Sequence, residues 1–381
     1  MQCQAKYRSY LAVFFSHLPI SHIARDAMTG ILISHISHPL AVITLYHITL
    51  NVLPFSEAVK RRVAFTASCL HIIAPAGLFL SAPFGESAFA MLAFAGTLCY
   101  VYAQRVRSTS PEEVLQAAFW LLLSGACFGL STMVRSNGIL GGLNFAWDAI
   151  AMLLQPWALF NDRKHLLQFA ATIGAGSLVG IGFAASQVVA YIEYCTGGNT
   201  RPWCTKLVPS IYSWVQDYYW EVGFLRYWTL SNIPLFLLAA PMLVILLYTG
   251  YIGLFRCQSM IPAGDAKKVA APSDIERRIY NHMIPRLALP QLVLTIMAAT
   301  SFHVQIINRI SSGYPLWYIL LAIAICGTSK ESTASRTQTQ GRSTLQSGFH
   351  LNRKSSQWIV RGMVMYAVVQ GGLYASFLPP A

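Results

Sequence analysis

The sequence alternates between long apolar runs and shorter polar connections. A membrane-spanning helix needs roughly twenty mostly apolar residues, and the strand alternation of a membrane barrel is missing here. The pattern predicts an all-α integral membrane protein with about ten transmembrane helices, two of which, at 139–155 and 314–328, are marginally long. The predicted helices cover residues 28–53, 64–81, 84–103, 116–133, 139–155, 166–194, 232–255, 283–303, 314–328 and 358–379.

Composition supports a membrane protein. The 381 residues are 55% hydrophobic and only 11% charged, whereas about a quarter of a soluble protein's residues are charged. The net charge of +13 would also suit nucleic acid, but the basic residues lie in short connections and no nucleic-acid motif occurs. We therefore expect a membrane as the anionic partner, and no nucleic acid.

The basic residues predict an orientation. They are concentrated in every second connection, which the positive-inside rule places in the cytosol. The remaining connections would then face the lumen, namely residues 82–83, 134–138, 195–231 and 304–313. Residues 1–27 form an atypical N-terminus before one polytopic domain at 28–379, whose long connections at 257–282 and 329–357 are expected to be cytosolic.

The segment 195–231 is the longest polar and aromatic interruption between apolar runs. It contains Trp203, Trp214, Trp220 and Trp228, which suit either a membrane-boundary aromatic belt or a site for a lipid-linked polar substrate. Asp217 and Glu221 are four residues apart, so on a helix they would share a face, near Arg226. The pair is a candidate for general acid–base chemistry or a solvated face with local salt bridges.

Two other expected lumenal connections bring charge to the membrane boundary. Glu86 is costly at this depth and needs a cavity or a partner. Arg135, followed by Asn137, could pair with Glu86, bind a phosphate through its planar guanidinium, or do both.

The last expected lumenal segment carries polar side chains just where a helix ends. They could hydrogen-bond a sugar or a phosphate, or instead cap the helix and extend toward water. These residues are His303, Gln305, Asn308 and Arg309.

Several other features have structural interpretations. Cys195 and Cys204 share the aromatic loop and could form a disulfide in an oxidising lumen, although spacing alone does not fix the geometry. His35 and His38 lack a third ligand, so packing is favoured and no metal is expected. Two other motifs predict contacts between helices. Gly176 and Gly180 predict a close approach of their helix to a neighbouring helix, and Asp148 predicts a hydrogen bond to a neighbouring helix.

With these segments identified, the chain resembles the GPI mannosyltransferase 2 family (PIG-V type, with a fungal character) from about residue 28 onward. The stretches that carry the resemblance are APAGLFLSAPFGESAFAMLAFAG, MVRSNGIL, RPWCTKLVPSIYSWVQDYYWEVGFLRYW with IPLFLLAAPML, and FHVQIINRISSGYPLWY. The resemblance implies a GT-C type fold in the endoplasmic reticulum membrane. It also implies α-1,6 transfer of the second mannose from dolichyl-phosphate mannose to the GPI precursor, without a cofactor and with a possible small membrane subunit.

The sequence departs from the family at one point. Members carry a Trp-Asp motif in a first lumenal loop, and no such loop precedes residue 28 here. The pair Trp147-Asp148 lies in the wrong place by topology, so we do not assign it as catalytic and expect a chain shortened at its N-terminus.

The predicted mechanism is inverting transfer, with Arg135 as the first choice to stabilise the leaving phosphate and Arg309 and His303 as second choices. Glu86, Asp217 and Glu221 are the carboxylates left to orient the acceptor. The alternatives are an inactive membrane subunit or paralogue, for which the missing acid argues, and a multi-span transporter. Polar residues clustered on one membrane face, away from the midplane, argue against transport.

Overall fold

The computed structural model describes residues 21–106, 110–157, 162–197, 201–257, 274–327 and 353–376. In these ranges the chain forms α-helices joined by loops and 3-10 turns, with no strand. The α-helices are α1 (His22–Val52), α2 (Glu57–Ile72), α3 (Glu86–Arg105), α4 (Pro111–Val134), α5 (Gly142–Leu153), α6 (Arg163–Cys195), α7 (Ile211–Tyr218), α8 (Ile233–Phe255), α9 (Asp274–Thr300), α10 (Ile307–Ile310), α11 (Pro315–Gly327) and α12 (Arg353–Ser376).

Six of these helices are long and apolar enough to cross a membrane: α1, α3, α4, α6, α8 and α9. A seventh span is possible if the turns at Val304–Gly313 and the following α11, which meet at 80°, count as one broken span. The all-helical membrane architecture agrees with the sequence prediction. Each of the ten predicted segments contains helix, but α2, α5 and α11 are short and α12 is more polar, so ten spans are not confirmed.

The predicted span 64–81 is wrong in its boundaries. The helix begins at Glu57 and ends at Ile72, and a separate 3-10 turn covers Gly77–Leu80. Pro75 explains the break, because proline has no backbone N–H and disfavours helix in the residue before it. Lys60, expected in a cytosolic connection, instead lies buried in α2 and bridges Glu57 and Glu276.

Other predicted boundaries also shift. Residues 274–282, expected in a loop, form the first turns of α9, and residues 22–27 begin α1. Residues 353–357, expected in the second cytosolic loop, begin α12, whereas residues 258–273 and 329–352 of the two predicted loops and residues 1–20 lie outside the described residues.

Helix starts follow local sequence signals. Ser110 and Glu113 form a capping box around Pro111 at the start of α4, with hydrogen bonds of 3.2 Å in both directions. The Asp162 side chain accepts the backbone N–H of Lys164 at 2.9 Å and caps α6.

The helices pack into a bundle with two distinct ends. Helix α11 lies at its core, with Leu316, Trp317 and Tyr318 fully buried, and it contacts both α2 and α8. We call one side the Glu86 end, which holds Glu86, Arg135, Cys195 and Thr300. The opposite side is the Arg105 end, where Arg105 Nη1 donates to the carbonyl of Asn51 at the end of α1.

The closest helix contact, between α4 and α6, uses different glycines from those predicted. A Cβ on Gly125 would lie 2.5 Å from the carbonyl oxygen of Ala175, and one on Gly129 would lie 2.6 Å from that of Leu178. A Cβ on Gly180 would meet no atom of another helix within 4 Å, and one on Gly176 would lie at an ordinary 3.6 Å from Phe145. The predicted pair therefore does not create the close approach; Gly125-xxx-Gly129 on the partner helix does.

Candidate functional site

Two arginines hold the carboxylate of Glu86. Arg135 Nη1 lies 2.7 Å from Glu86 Oε1, and the same oxygen lies 2.8 Å from Arg309 Nε and 2.6 Å from Arg309 Nη2. Glu86 is the first residue of α3, where the helix dipole favours a negative charge. Because two guanidiniums face one carboxylate, the cluster carries a net positive charge and remains attractive to an anion.

Local structure directs each arginine into this cluster. Arg135 follows the last residue of α4 with an extended backbone, at φ −143°, which turns its side chain back toward α3. The guanidinium of Arg309 packs 4.2 Å from the ring centre of Phe79 and 5.0 Å from that of Phe84, both in the α2–α3 connection. These cation–π contacts hold Arg309 in place in surroundings with little water.

Only Arg135 reaches solvent from this cluster. Its side chain is 18% exposed, compared with 4% for Arg309 and 0% for Glu86. A catalytic base must come within hydrogen-bond reach of the hydroxyl that it deprotonates. The geometry therefore favours Glu86 as the group that positions the arginines, and leaves Arg135 as the member of the cluster that a ligand outside the protein can reach.

A small cavity lies beneath this cluster. Asn137 and Tyr314 line it, and the Tyr314 hydroxyl donates to the carbonyl of Asn137 at 3.2 Å. Its volume is about 30 Å³, which is room for a single water. A sugar does not fit there.

The aromatic loop is tied at its start by a disulfide between Cys195 and Cys204, whose Cα atoms are 5.6 Å apart. Trp203, next to this bond, is only 1% exposed and packs against Tyr191 of α6. Its burial indicates a structural role, since a substrate-binding ring needs an accessible face.

The same loop is joined to the last turn of α9. The backbone N–H of Leu225 donates to the carbonyl of Thr300 at 2.6 Å, and Trp228 Nε1 donates to that of Ala299 at 2.8 Å. Leu225 adopts φ +56°, a left-handed conformation that a bulky residue rarely takes, so these contacts fix a strained turn.

Residues from the last expected lumenal segment complete the contact with the loop. Gln305 Oε1 accepts the Tyr227 hydroxyl at 3.0 Å, and His303 Nε2 donates to the carbonyl of Trp220 at 2.7 Å. Partial burial raises the pKa of the Tyr227 phenol, which keeps it protonated as a donor. Together with the Glu86 cluster, these contacts bring all four expected lumenal segments to one end of the bundle.

Asn308 shows a partner that the sequence did not indicate. Its side-chain amide donates to the hydroxyl of Tyr366 at 2.8 Å, and Tyr366 belongs to α12, 58 residues away. A lone tyrosine in a weakly apolar helix carries no signal of this contact. Asn308 is fully buried, so its amide ties α12 to the site and does not face a substrate.

The expectation that Asp217 and Glu221 share a helical face is wrong. Helix α7 ends at Tyr218, and Glu221 lies beyond it with φ +48°, so the two carboxylates do not follow helical spacing. Asp217 instead accepts a hydrogen bond from Arg226 Nη1 at 2.7 Å. Both partners are about 60% exposed, and such a pair contributes only about 0–1 kcal/mol.

The remaining tryptophans of the loop differ in exposure. Trp214 stacks on Tyr218 with ring centres 5.2 Å apart and planes 9° apart, whereas Trp228 is largely exposed. Trp220 packs edge-on against His303. This aromatic surface at the Glu86 end suits the boundary between membrane and water.

Asp148 lies far from this site. It accepts a hydrogen bond from Arg286 Nε of α9 at 2.8 Å and another from the Tyr100 hydroxyl of α3, fourteen residues along α3 from Glu86. Arg286 also packs 5.3 Å from the ring of Trp147. The prediction that Asp148 bonds a neighbouring helix is confirmed, and its partners are those of a buried ion pair.

Among the described residues no group of three His, Cys, Asp or Glu side chains is arranged to hold a metal ion. His38 packs edge-on against His71 of α2 with ring centres 5.3 Å apart, in keeping with the packing interpretation.

Comparison with known proteins assigns the family. The mannosyltransferase (PIG-V) family model matches residues 18–381. The chain is 40% identical to GPI mannosyltransferase 2 of Aspergillus oryzae over 357 residues, 93% of this chain and 74% of the relative. Its identity to GPI mannosyltransferase 2 of Gibberella zeae is also 40%, over 93% of this chain and 75% of the relative.

A more distant relative agrees. GPI alpha-1,6-mannosyltransferase 2 of Cricetulus griseus is 28% identical over 298 residues, which are 68% of this chain and 55% of the relative. No solved structure matches the chain. The extent of the family match and the identity to the fungal relatives leave one conclusion: this chain belongs to the PIG-V mannosyltransferase family.

Proposed function

We propose that this chain is the GPI-anchor mannosyltransferase that transfers the second mannose, in α-1,6 linkage, from dolichyl-phosphate mannose to the GPI precursor. Family membership supports mannosyl transfer, and the names of the relatives, GPI mannosyltransferase 2 and GPI alpha-1,6-mannosyltransferase 2, support the GPI precursor as acceptor. The structural observation that carries the proposal is the net-positive Glu86–Arg135–Arg309 cluster at the membrane boundary.

A lipid-linked phosphate donor suits this position. Its polyprenyl chain would stay in the bilayer while its phosphate reaches Arg135, the exposed member of the cluster. The sequence contains no GxxxxGK[ST] phosphate loop that would suggest a nucleotide. The aromatic loop at the same end offers amphipathic side chains to the sugar and to the membrane surface.

In the proposed step, the acceptor 6-hydroxyl oxygen bonds to the anomeric carbon of mannose while the bond from that carbon to the phosphate oxygen breaks. The hydroxyl proton passes to a carboxylate, for which Asp217 and Glu221 of the aromatic loop are the candidates, and dolichyl phosphate departs with the electron pair of the broken bond. Arg135 stabilises the charge that develops on the phosphate. Glu86 acts as a positioning residue because it binds Arg135, and Arg309 acts through Glu86; neither side chain reaches solvent.

We place the Glu86 end in the lumen of the endoplasmic reticulum. The support is the distribution of basic residues and the Cys195–Cys204 disulfide, which forms readily in an oxidising compartment. Two exposed carboxylates of the aromatic loop, Asp217 and Glu221, are the candidates to orient the acceptor hydroxyl and to take its proton.

The test is transfer by the purified chain in detergent micelles. Dolichyl-phosphate mannose with a radioactive sugar is incubated with a synthetic mannosyl-glucosaminyl-phosphatidylinositol, and the product is digested with a linkage-specific α-mannosidase. Appearance of one α-1,6-linked mannose supports the proposal. A folded chain that gives no product would instead favour the inactive membrane subunit.

A further inference from the structure

A second, larger cavity lies at the Arg105 end, on the opposite side of the bundle from the candidate active site. It has a volume of about 400 Å³ and is formed by the last turn of α3, the first turns of α6 and the first turns of α9. Its polar lining includes Gln104, Lys164, His165, Gln168, Arg278 and His282.

The lining favours an anionic ligand. Lys164 and Arg278 supply two positive charges, while Gln104 and Gln168 add amide donors. The lining also holds one carboxylate, Asp162, whose Oδ1 accepts the backbone N–H of Lys164 at the start of α6, so the positive charges outnumber the negative charge in the lining. Guanidinium and ammonium groups together with amides form the kind of donor set that binds phosphate oxygens.

His282, which forms the floor of the cavity, is supported by Tyr100 and by the buried Asp148–Arg286 ion pair. His282 Nε2 lies 3.3 Å from the Tyr100 hydroxyl, and the two rings stack with centres 6.2 Å apart. Tyr100 in turn contacts Asp148, which Arg286 also binds. A preorganised floor lowers the entropy lost when a ligand is bound.

The cavity volume of about 400 Å³ is more than ten times the roughly 30 Å³ that one water occupies, so the cavity has room for more than a single phosphate. This volume falls within the usual range of small-ligand sites. Its wall continues into apolar side chains exposed on the outside of the bundle: Leu166 and Leu167 directly follow His165 along α6. A polar, positively charged cavity beside a lipid-facing surface fits an amphiphile with a phosphate in its head group.

We propose that this cavity binds the phosphate-bearing head group of an anionic phospholipid from the leaflet at the Arg105 end, with the acyl chains along α6. In the proposed orientation this is the cytosolic leaflet. The site is distinct from the mannosyl-transfer site and would anchor the ends of α3, α6 and α9 to one another through a bound lipid.

The proposal is tested by binding to the purified full chain in neutral detergent. The probes are dioctanoyl phosphatidylinositol, dioctanoyl phosphatidylcholine and inorganic phosphate, each followed by isothermal titration and by the thermal midpoint of unfolding. We expect phosphatidylinositol to bind and raise the midpoint, and the other two probes to bind at least about tenfold more weakly. This readout does not involve mannosyl transfer, so its failure is separate from failure of the proposed activity.

Matched variants locate the binding. Lys164→Gln/Arg278→Gln removes two charges from the lining, whereas Arg163→Gln/Arg277→Gln removes two exposed charges one residue away on the same helices. The first pair should weaken phosphatidylinositol binding about tenfold or more, and the second pair should leave it within about twofold. Gln168→Trp, which fills the cavity without changing charge, should also weaken binding.

Three outcomes would overturn the proposal. Equal loss in both double variants would mean general electrostatic attraction. Binding of phosphatidylcholine as tight as that of phosphatidylinositol would rule out selection for an anion. Inorganic phosphate that binds as tightly as the lipid would mean a free-phosphate site.

Discussion

Arg309 and Glu86 form a buried ion pair across 223 residues of sequence, with two guanidinium nitrogens within 2.8 Å of one carboxylate oxygen. This pair joins the short helix after α9 to the start of α3. Because Arg135 binds the same oxygen, the position of the one exposed guanidinium depends on the two buried groups. In the proposed mechanism, Glu86 and Arg309 therefore supply structural support and Arg135 contacts the substrate.

We expect Glu86→Gln to destabilise the protein. Without the negative charge, two guanidiniums would face each other with little solvent, a loss of about 3 kcal/mol in the free energy of unfolding. The midpoint of thermal unfolding in detergent should fall clearly, and Glu112→Gln, an exposed carboxylate at the start of α4, should leave it unchanged. An unaltered midpoint in the Glu86 variant would show that the ion pair does not stabilise the fold.

Arg135→Ala should reduce mannosyl transfer without unfolding the chain. The loss of a guanidinium that stabilises the leaving phosphate predicts a fall in kcat/KM of about a hundredfold. Arg135→Lys should recover part of the activity, because lysine keeps the charge but not the two-pronged geometry. Arg201→Ala, an exposed arginine at the start of the aromatic loop, serves as the control. Full transfer by the alanine variant would contradict the phosphate role.

Removal of the disulfide should loosen the aromatic loop. The bond between Cys195 and Cys204 closes a loop of nine residues, and the chain-entropy estimate for this length is about 2–3 kcal/mol. Cys195→Ala/Cys204→Ala should lower the thermal midpoint and speed limited proteolysis within 201–231. Cys99→Ala, a free buried cysteine, is the comparison. Rapid labelling of Cys195 by a maleimide in the unreduced native protein would argue that the bond is absent.

Asp148 should behave as a structural residue. Asp148→Leu leaves Arg286 buried without its partner and should cost about 3–5 kcal/mol, while Asp148→Leu/Arg286→Met should regain most of the loss because both charges are removed. Thermal midpoints of the two variants provide the comparison. A stably folded double variant with no residual transfer would point to a catalytic role for Asp148 that the geometry does not suggest.

Gly129→Leu should separate α4 from α6. A side chain there would meet the carbonyl of Leu178, and backbone cannot move away as a flexible side chain can. Gly180→Leu places the same bulk on the neighbouring helix, where a Cβ would meet no atom of another helix within 4 Å, and should be tolerated. Yield of monodisperse protein and its thermal midpoint distinguish the two. Equal behaviour of the two variants would mean that the helices can adjust their spacing.

Much of the candidate site could be anticipated from residue type alone. Glu86 and Arg135 were candidate site residues because charges are costly near apolar runs. The sequence predicted that Arg135 pairs with Glu86, binds a phosphate, or does both, and the structure contains the ion pair. The link from Arg309 to the same carboxylate was not anticipated, because nothing in the sequence measures a distance across 223 residues. The partner Tyr366 was missed for the same reason.

Residue spacing in the sequence also led to wrong predictions, one at the end of α7 and one for the glycines of α6. Asp217 and Glu221 have helical spacing, but α7 stops between them, since contacts of the following residues with α9 fix a different backbone. The Gly176 and Gly180 pair matched a packing motif, yet close approach depends on which face of α6 meets α4. The face of α6 that contacts α4 is determined by the packing of the whole bundle, and the glycine motif alone does not specify it.

Apolar length and residue identity are properties of the linear chain, so the class of protein, the approximate helices and the family resemblance could be predicted without a structure. The folded arrangement was needed to learn which charges neutralise each other, which arginine stays exposed, and that a positively charged cavity opens at the Arg105 end. Ion pairs and cavities arise between segments distant in sequence. They depend on helix rotation and depth, and a linear pattern does not encode these in any local signal.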